Sequence, residues 1–456
     1  MSLEVVVLAA GKGTRMRSRL PKVLHPLAGR PLIMHVLERA RALDPAQISV
    51  VYGHGGDAVP RAIGDDTIRW VLQAEQLGTG HAVQLALPDG DDEDTVVVMY
   101  GDIPLIGVDT LQSLASLPAA NGGLAILAIE LEDPAAYGRI VRGCDGRVTG
   151  IVEARDATDA ELAIREVNTG FVAAPRGLLR GWLQRLGADN AQGELYLTDI
   201  AALAVADGVA VDTLTAVDAV EVQGVNSRAE LARLERCVQG RIAADLMDRG
   251  VTIADPQRVD VRGKVEAGRD CVFDVNVVLE GRVVIGDGVR IGPNCLLRDV
   301  EIGDDVEIHA HSVVEGARIA AGCAVGPFAR VRPGTVLERG ARLGNFVETK
   351  NSRIGEQSKV NHLSYLGDAV VGNGVNIGAG VITCNYDGVN KHLTVVGDDA
   401  FVGSDCQLVA PVTIGAGATV GAGTTLTRDA PPGQLTLSRS DQRSIAGWRR
   451  PGKKPR

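Results

Sequence analysis

Three groups of residues in this chain have the types and spacing for chemistry. The first apolar run ends in Leu8-Ala9-Ala10-Gly11-Lys12-Gly13-Thr14-Arg15-Met16, and Pro21-Lys22 follows. Glycines at such a point let backbone N–H groups approach phosphate oxygens, while Arg15 and Lys22 supply positive charge. The string is not a dinucleotide fingerprint, because Met16 stands where the third glycine belongs, and it lacks the spacing of a Walker loop. The second group, Tyr100-Gly101-Asp102, closes another apolar run. A carboxylate there either caps a turn or binds magnesium, an ion that takes one or two protein oxygens and fills its shell with phosphate and water. Asn226, in Gly224-Val225-Asn226, can offer an amide oxygen to the same ion or cap the helix after it. In the third group, Lys359-Val360-Asn361-His362-Leu363-Ser364-Tyr365 sets a histidine in a break of a repeat. Basic Arg332 and Lys350 precede it, and Asn385-Tyr386-Asp387-Gly388 follows. Histidine titrates near neutrality and can take a proton from an attacking amine. His309 and His311 lack such neighbours and read as surface residues.

The elements that must position these groups change character along the chain. Up to about residue 227, short apolar runs (4–8, 48–52, 95–100 and 123–129) alternate with segments of helical spacing such as 34–43 and 110–117. That alternation predicts an α/β unit with a mixed, mostly parallel sheet, whose ligands bind beyond the carboxyl ends of the strands. Residues 227–248 predict one helix, with Leu231, Leu234, Val238, Ile242 and Leu246 on one stripe. Beyond residue 250 the period becomes six: Leu279, Ile285, Ile291, Leu297; Ile319, Val325, Val331, Leu337, Leu343; Val396, Val402, Leu408, Ile414, Val420, Leu426. Neither a helix nor an ordinary strand has that period. A hexapeptide coil does, with one short strand per unit, its aliphatic residue pointing inward, and three units per triangular turn. The slip between Leu297 and Ile302 predicts a loop leaving the coil, as does the gap between Ile377 and Val396.

Composition narrows the classes. Of 456 residues 47 are basic and 57 acidic, a net charge of −10 that argues against a nucleic-acid binder. Aromatics are only 3%, as a narrow aliphatic coil requires, and 56 glycines imply many tight turns. Seven cysteines without a CxxC pair suggest a reduced cytosol rather than a disulfide framework or zinc site. No apolar run reaches membrane-spanning length, so a cytoplasmic protein with no membrane partner is expected.

The GxGTRM string with its downstream Pro-Lys resembles the signature of sugar-1-phosphate nucleotidyltransferases. Further motifs narrow this: Gln73-Ala74-Glu75-Gln76-Leu77-Gly78-Thr79-Gly80-His81-Ala82, Tyr137-Gly138-Arg139-Ile140, Ile151-Val152-Glu153 and Glu166-Val167-Asn168-Thr169-Gly170. Together with the His362 segment they resemble the bifunctional family that joins N-acetylglucosamine-1-phosphate uridylyltransferase to glucosamine-1-phosphate N-acetyltransferase. The resemblance implies a uridylyltransferase domain at 1–227, a linker helix at 228–250 and a left-handed parallel β-helix with acetyltransferase activity at 251–456. It implies that Leu8, Ala9, Ala10, Gly11, Lys22, Gln73, Gly78, Thr79, Tyr100, Gly101, Asp102, Gly138, Glu153, Asn168 and Asn226 bind UTP or the UDP-sugar. Gln73 and Gly78 would read uracil, Gly138, Glu153 and Asn168 the N-acetyl sugar, and Asp102 and Asn226 Mg²⁺. Arg15 and Lys22 would assist catalysis. By themselves Gln73 could be a surface amide and Glu153 a solvated charge.

For the second activity the resemblance makes His362 the general base. It assigns Arg332, Lys350, Tyr365 and Asn376 to glucosamine-1-phosphate, and Ala379, Asn385, Tyr386, Ser404, Ala422 and Arg439 to acetyl-CoA, with the Ala379 N–H as oxyanion donor and Asn385 orienting sugar or amine. It also implies a homotrimer with acetyl sites between subunits, and a product that feeds cell-wall and lipopolysaccharide synthesis. The basic tail from Trp448 to Arg456 either is solvated or covers CoA phosphates. Two other readings stay open: a different sugar-1-phosphate nucleotidyltransferase whose coil is only structural, and an assembly protein that uses the coil to trimerise.

Overall fold

The computed structural model describes residues 2–87, 89–438 and 441–450. The chain divides into two compact units, Met1–Val238 and Gln239–Arg456. The division falls inside the helix Arg228–Asp248, the one predicted over 227–248.

In the first unit the alternating runs form one sheet. Its order is Val211–Thr215, Leu124–Glu130, Glu166–Pro175, Thr95–Tyr100, Leu3–Leu8, Gln47–Tyr52, Arg69–Leu72. Only Glu166–Pro175 on this path is antiparallel, and it is so to both neighbours. Val5, Val7, Val97 and Met99 are buried on one face of the sheet, and Val6, Leu8, Val96 and Val98 on the other. Continuous apolar strands are what a sheet covered on both sides demands. The chain leaves Leu3–Leu8 for Gln47–Tyr52 on one side and later pairs Thr95–Tyr100 on the other. The order therefore reverses at Leu3–Leu8, and the crevice past Leu8 and Tyr100 is the switch point at which such sheets take ligands. A hairpin, Arg139–Arg142 with Val148–Val152, joins the interior strand Glu166–Pro175 through Arg139 opposite Val167.

The second unit is a parallel β-helix of three faces. Partners in adjacent coils lie 18 positions apart, as in Leu279 with Leu297 and Ile319 with Leu337, or 17 apart, as in Ile291 with Ile308. Every aliphatic residue of the six-residue period is buried in a single continuous core. Each face ends at a corner where the chain turns through the left-handed region, and residues that tolerate positive φ recur there: Asn276, Asn294, Asp305 and Asp368, at φ between 48° and 60°. Cys271, Cys295, Cys323 and Cys406 point inward, and burial pushes the Cys323 thiol up to about 11. These thiols pack as small apolar groups.

The slip at Leu297 is not a loop. Leu296–Ile302 runs as one strand with both Leu297 and Ile302 buried. Asp299, at φ 50°, makes the corner alone where the coil before it uses Gly281 and Arg282. One corner residue is simply missing, and the inward pattern resumes. The second gap is a genuine insertion: Val371 pairs with Val396, 25 positions on, before Val396 pairs with Ile414 at the usual 18.

If the period assigns inside and outside correctly, Leu408→Ala should destabilise the β-helix by about 2–5 kcal/mol, because Leu408 is fully buried. Val409→Ala, at an outward position, should stay within about 0.5 kcal/mol of wild type. Urea and thermal unfolding of both variants measure the contrast; equal losses would contradict the assignment.

Candidate functional site

The crevice at the switch point of the first unit holds a cavity of about 470 Å³. Leu8, Ala9, Ala10, Gly11, Lys22, Gln73, Gly78, Thr79, Tyr100, Asp102 and Asn226 all line it. Arg15 does not line it; it lies exposed in the short 3₁₀ turn Thr14–Met16. Gly13 sits at φ 55°, and a Cβ there would come within 2.8 Å of the Lys22 Cβ, so this loop closes only with glycine. The closure brings the Lys22 ammonium to the Asp102 carboxylate in an ion pair, with Asn226 Oδ1 accepting a further bond at 3.2 Å.

Asn226 is available for this because it does not cap the helix. Ser227 does: its Oγ accepts from the Glu230 N–H at 3.2 Å, and the Glu230 carboxylate accepts from the Ser227 N–H at 3.1 Å. This reciprocal capping box satisfies the helix start and frees the asparagine amide. The Val225 N–H donates to the Asp102 carbonyl at 2.9 Å, which ties the two oxygen-bearing residues together. Two hard oxygens therefore converge on one positive charge, the donor set that a magnesium ion accepts.

Gln73 is buried, not a surface amide; its Nε2 donates to the Gly78 carbonyl at 3.0 Å. Gly78, at φ 117°, lies so close to Leu195 that a Cβ would sit 2.5 Å from its carbonyl oxygen. Gly138, Glu153 and Asn168 do not line this cavity but lie close to one another: a Cβ on Gly138 would lie 3.5 Å from both Glu153 carboxylate oxygens, and the Gly138 carbonyl accepts from the Asn168 N–H at 2.9 Å. Glu153 is not a solvated charge. Burial raises its pKa, nearby Asp199 and Asp156 raise it further, and a 3.0 Å bond from the Thr198 hydroxyl opposes them. Tyr100 has its phenol pushed far up by burial, then by the charges of Glu153 and Asp102. It stays neutral, in a hydrogen bond with Thr79. Sequence reading missed Gln76 and Glu194, which also line the cavity; Glu194 comes from a loop with no local motif.

In the second unit the histidine lies at a corner. Asn345 and His362 are register partners, and Asn345 Oδ1 bonds His362 Nδ1 at 2.6 Å. The bond leaves Nε2 as the other ring nitrogen. Register carries the same corner through Ala379, Ser404 and Ala422 in successive coils, because Val360, Ile377, Val402 and Val420 pair in turn. Among the described residues no backbone carbonyl takes the Ala379 N–H. The His362 imidazole and an N–H without a backbone carbonyl partner thus stand one coil apart. Asn376 pairs with Lys359 on the preceding strand and is half-buried.

A cationic cluster lies on the neighbouring face. Lys350 is register partner of Gly367, and its pKa is pushed down by the close approach of the Lys391 ammonium and then by the charge of Arg332. Arg332 also pairs with Glu348 at 2.8 Å. Lys391 escaped the sequence reading because only the folding back of the inserted loop brings it here. That loop is cross-linked by Asp387, which accepts from the Val389 and Asn390 N–H groups at 2.8 and 2.7 Å and meets His392 Nε2 at 2.7 Å. These partners hold the Asp387 carboxyl far below the usual range, His392 contributing most. Tyr386 is exposed on the loop, and buried Asn385 begins it. A Cβ on Gly367 would lie 2.3 Å from the Tyr365 hydroxyl and 2.9 Å from Asn385 Nδ2, so both groups converge over this glycine. Arg439 and residues 451–456 of the basic tail lie outside the described residues; Trp448, Arg449 and Arg450 are exposed.

His311 is on the surface but has a partner: its ring stacks on Phe328 at 4.7 Å, and Phe328 stacks on Phe346 at 5.2 Å. With Leu363 these side chains form an exposed column at the corner beside His362, each in the left-handed region. For residues of this size that conformation costs roughly 1–2 kcal/mol each.

Comparison with known proteins agrees with the two architectures. Residues 5–165 match the MobA-like NTP transferase domain, 282–315 the hexapeptide repeat of succinyl-transferase, and 393–428 the bacterial transferase hexapeptide of six repeats. A protein of Alkalilimnicola ehrlichii named bifunctional protein GlmU is 59% identical over 454 residues, spanning 100% of this chain and 98% of its own. Proteins of the same name from Azoarcus sp. and Nitrosospira multiformis are 57% and 54% identical, over 99% and 100% of this chain and 100% and 99% of theirs.

The environment of Glu153 has a measurable consequence. The folded protein holds this proton more tightly than the unfolded chain, whose carboxyl titrates near 4.5. Below that pH the buried acid is neutral in both states and its full contribution is present; as pH rises above it, ionising the buried group costs stability. Glu153→Gln keeps a carbonyl for Thr198 and cannot ionise. Its melting temperature should match wild type below pH 4.5 and rise above wild type toward neutrality. A constant difference across the pH range would contradict the burial argument.

Proposed function

The chain belongs to the family of bifunctional GlmU proteins, and we propose that it makes UDP-N-acetylglucosamine in two steps, one on each unit. The β-helix acetylates glucosamine-1-phosphate with acetyl-CoA. The α/β unit then transfers uridylyl from UTP to N-acetylglucosamine-1-phosphate and releases pyrophosphate. The product supplies cell-wall and lipopolysaccharide synthesis.

The observation that carries this reading is His362, held by Asn345 one coil from the open Ala379 N–H. A coil that served only as scaffold or trimerisation device has no need of either. In the acetyl step the ammonium of glucosamine-1-phosphate must lose a proton before nitrogen can attack the thioester, and His362 Nε2 accepts it. The Ala379 N–H steadies the oxyanion of the tetrahedral intermediate, which collapses as the CoA thiolate leaves. Arg332, Lys350 and Lys391 meet the sugar phosphate, with Tyr365, Asn376 and Asn385 around the sugar, and Tyr386, Ser404, Ala422 and Arg439 take acetyl-CoA.

In the uridylyl step a phosphate oxygen of the sugar attacks the α-phosphorus of UTP in line, so no side-chain nucleophile is required. Asp102 and Asn226 would hold Mg²⁺, which would supply charge neutralisation of the phosphates. Lys22 is placed to contribute positive charge at the same point, while Leu8 to Gly11 offer backbone to the nucleotide, Gln73, Gly78 and Thr79 hold uracil, and Gly138, Glu153 and Asn168 hold the N-acetyl sugar. Tyr100 is part of the cavity wall, and Gly101, which does not line it, links Tyr100 to Asp102. Arg15, on its exposed turn, would join only by a shift of the glycine-rich loop toward bound triphosphate. We further propose a homotrimer in the cytoplasm. The hexapeptide coil supports the first; seven cysteines without a disulfide, and no helix long and apolar enough to cross a membrane among the described residues, are consistent with the second.

Free-thiol release from acetyl-CoA with glucosamine-1-phosphate, and pyrophosphate release from UTP with N-acetylglucosamine-1-phosphate, test the two halves separately. Asp102→Ala should lower pyrophosphate release by roughly 10² or more and leave acetyl transfer near normal; uridylylation within tenfold of wild type at saturating Mg²⁺ would overturn the ligand assignment. His362→Ala should lower acetyl-transfer turnover by roughly 10² to 10⁴. Part of that rate should return at high pH, where the amine is already free. An unchanged pH–rate profile would remove His362 from the role of base.

A further inference from the structure

The inserted loop leaves the coil at Asn385, and the corner column beneath it carries a feature that none of the assigned roles uses. Asn351, Asp368 and Asn385 follow one another at intervals of 17 residues, one above the next in consecutive coils. Asp368 stands in the middle. Asn351 Nδ2 donates to its Oδ1 at 2.6 Å, and Asn385 Nδ2 donates to its Oδ2 at 2.5 Å. An ionised carboxylate can only accept, so both amides must turn their NH₂ groups toward Asp368. For Asn351, exposed at the surface, that choice has no consequence. For buried Asn385, which shares the space over Gly367 with the Tyr365 hydroxyl, it decides what the side chain offers a ligand.

We propose that Asp368 is a positioning residue for acetyl transfer: by committing the Asn385 NH₂ group, it leaves the Asn385 carbonyl oxygen as the acceptor for the amine of glucosamine-1-phosphate. The inference rests on the acetyl-transfer reading above and adds a residue that does not touch substrate. An acceptor at this point matches an amino group, which has N–H bonds to donate; an NH₂ group there would repel the ammonium form. The surroundings keep Asp368 ionised for the task. Asn351 and Asn385 bond it, and Lys391 and Lys350 lie close enough for their charges to lower its pKa against the opposing effect of burial. Its negative charge in turn eases the repulsion between those two lysines, which wait for a phosphate.

The test exploits the difference between a carboxylate and an amide at position 368. Asp368→Asn has one acceptor and one donor, so only one of its two neighbours can keep its orientation. Both residues have left-handed φ, 45° at Asn351 and 48° at Asp368, and asparagine and aspartate tolerate it equally. In the full-length protein Asp368→Asn should reduce kcat/KM for glucosamine-1-phosphate by roughly ten- to a hundred-fold, the worth of a hydrogen bond to a charged group. KM for acetyl-CoA and the melting temperature should hold. The double variant Asn351→Asp/Asp368→Asn restores the net charge. It also makes residue 368 turn its NH₂ to Asp at 351, which returns an acceptor to Asn385. It should recover kcat/KM for glucosamine-1-phosphate to within about threefold of wild type. A single variant equal to wild type, or a double variant no better than the single, overturns the positioning role while wild-type and His362→Ala rates leave the acetyl-transfer reading intact. Absence of any glucosamine-1-phosphate-dependent thiol release by the wild type overturns that reading, and this proposal with it.

Discussion

Each coil of the β-helix must lie flat on the one before it, strand on strand, so that backbone groups find partners and an aliphatic side chain turns inward every six residues. Everything functional in the second unit follows from that stacking. Residues 17 or 18 apart in sequence become neighbours, and a column of corner residues becomes a set of adjacent groups. Asn345 reaches His362 by this arithmetic, and His362 reaches Ala379. At this corner the Ala379 N–H has no backbone carbonyl partner among the described residues, so a donor stands beside the column without any special loop.

The first unit solves the same problem of placement by different means. Its strands deliver Leu8 and Tyr100 side by side as register partners, so the glycine-rich loop and Asp102 emerge at one edge. What remains is to bring in a second oxygen from far along the chain. The Val225 N–H bond to the Asp102 carbonyl does so, and the Ser227–Glu230 capping box keeps Asn226 from being spent on the helix. Local helix chemistry thereby protects a site residue. Lys22 balances the two oxygens with its ammonium.

Much of this was legible in the sequence, for identifiable reasons. Period six survives in the chain because every strand of the coil returns an aliphatic side chain to the same inward position, and strand-end motifs are legible because sheet topology exposes them. Deletions were less so. The missing corner residue at Asp299 looks like a loop when only spacing is counted, since the coil tolerates 17 as well as 18. Residues joined by long-range folding left no local trace: Lys391 approaches Lys350 only through the inserted loop, and Glu194 enters the crevice at the switch point from a segment without a pattern. Asn226 carried an ambiguity that only its neighbour resolved. His311 had its partner one coil away, at Phe328, where a linear reading does not look.

The insertion after Asn385 illustrates how this architecture separates what may vary from what may not. The chain departs after Cys384 and resumes at Thr394, and Val396 then stacks between Val371 and Ile414 as though nothing had intervened. The loop therefore sits outside the coil's own count. Residues can be added to it, removed or exchanged without shifting any side chain of later coils from interior to exterior. Asp387 and His392 give it an internal clasp that does not draw on the coil for support. Such a scaffold can explore new acceptors by editing one appendage, while the stack beneath inherits no frameshift.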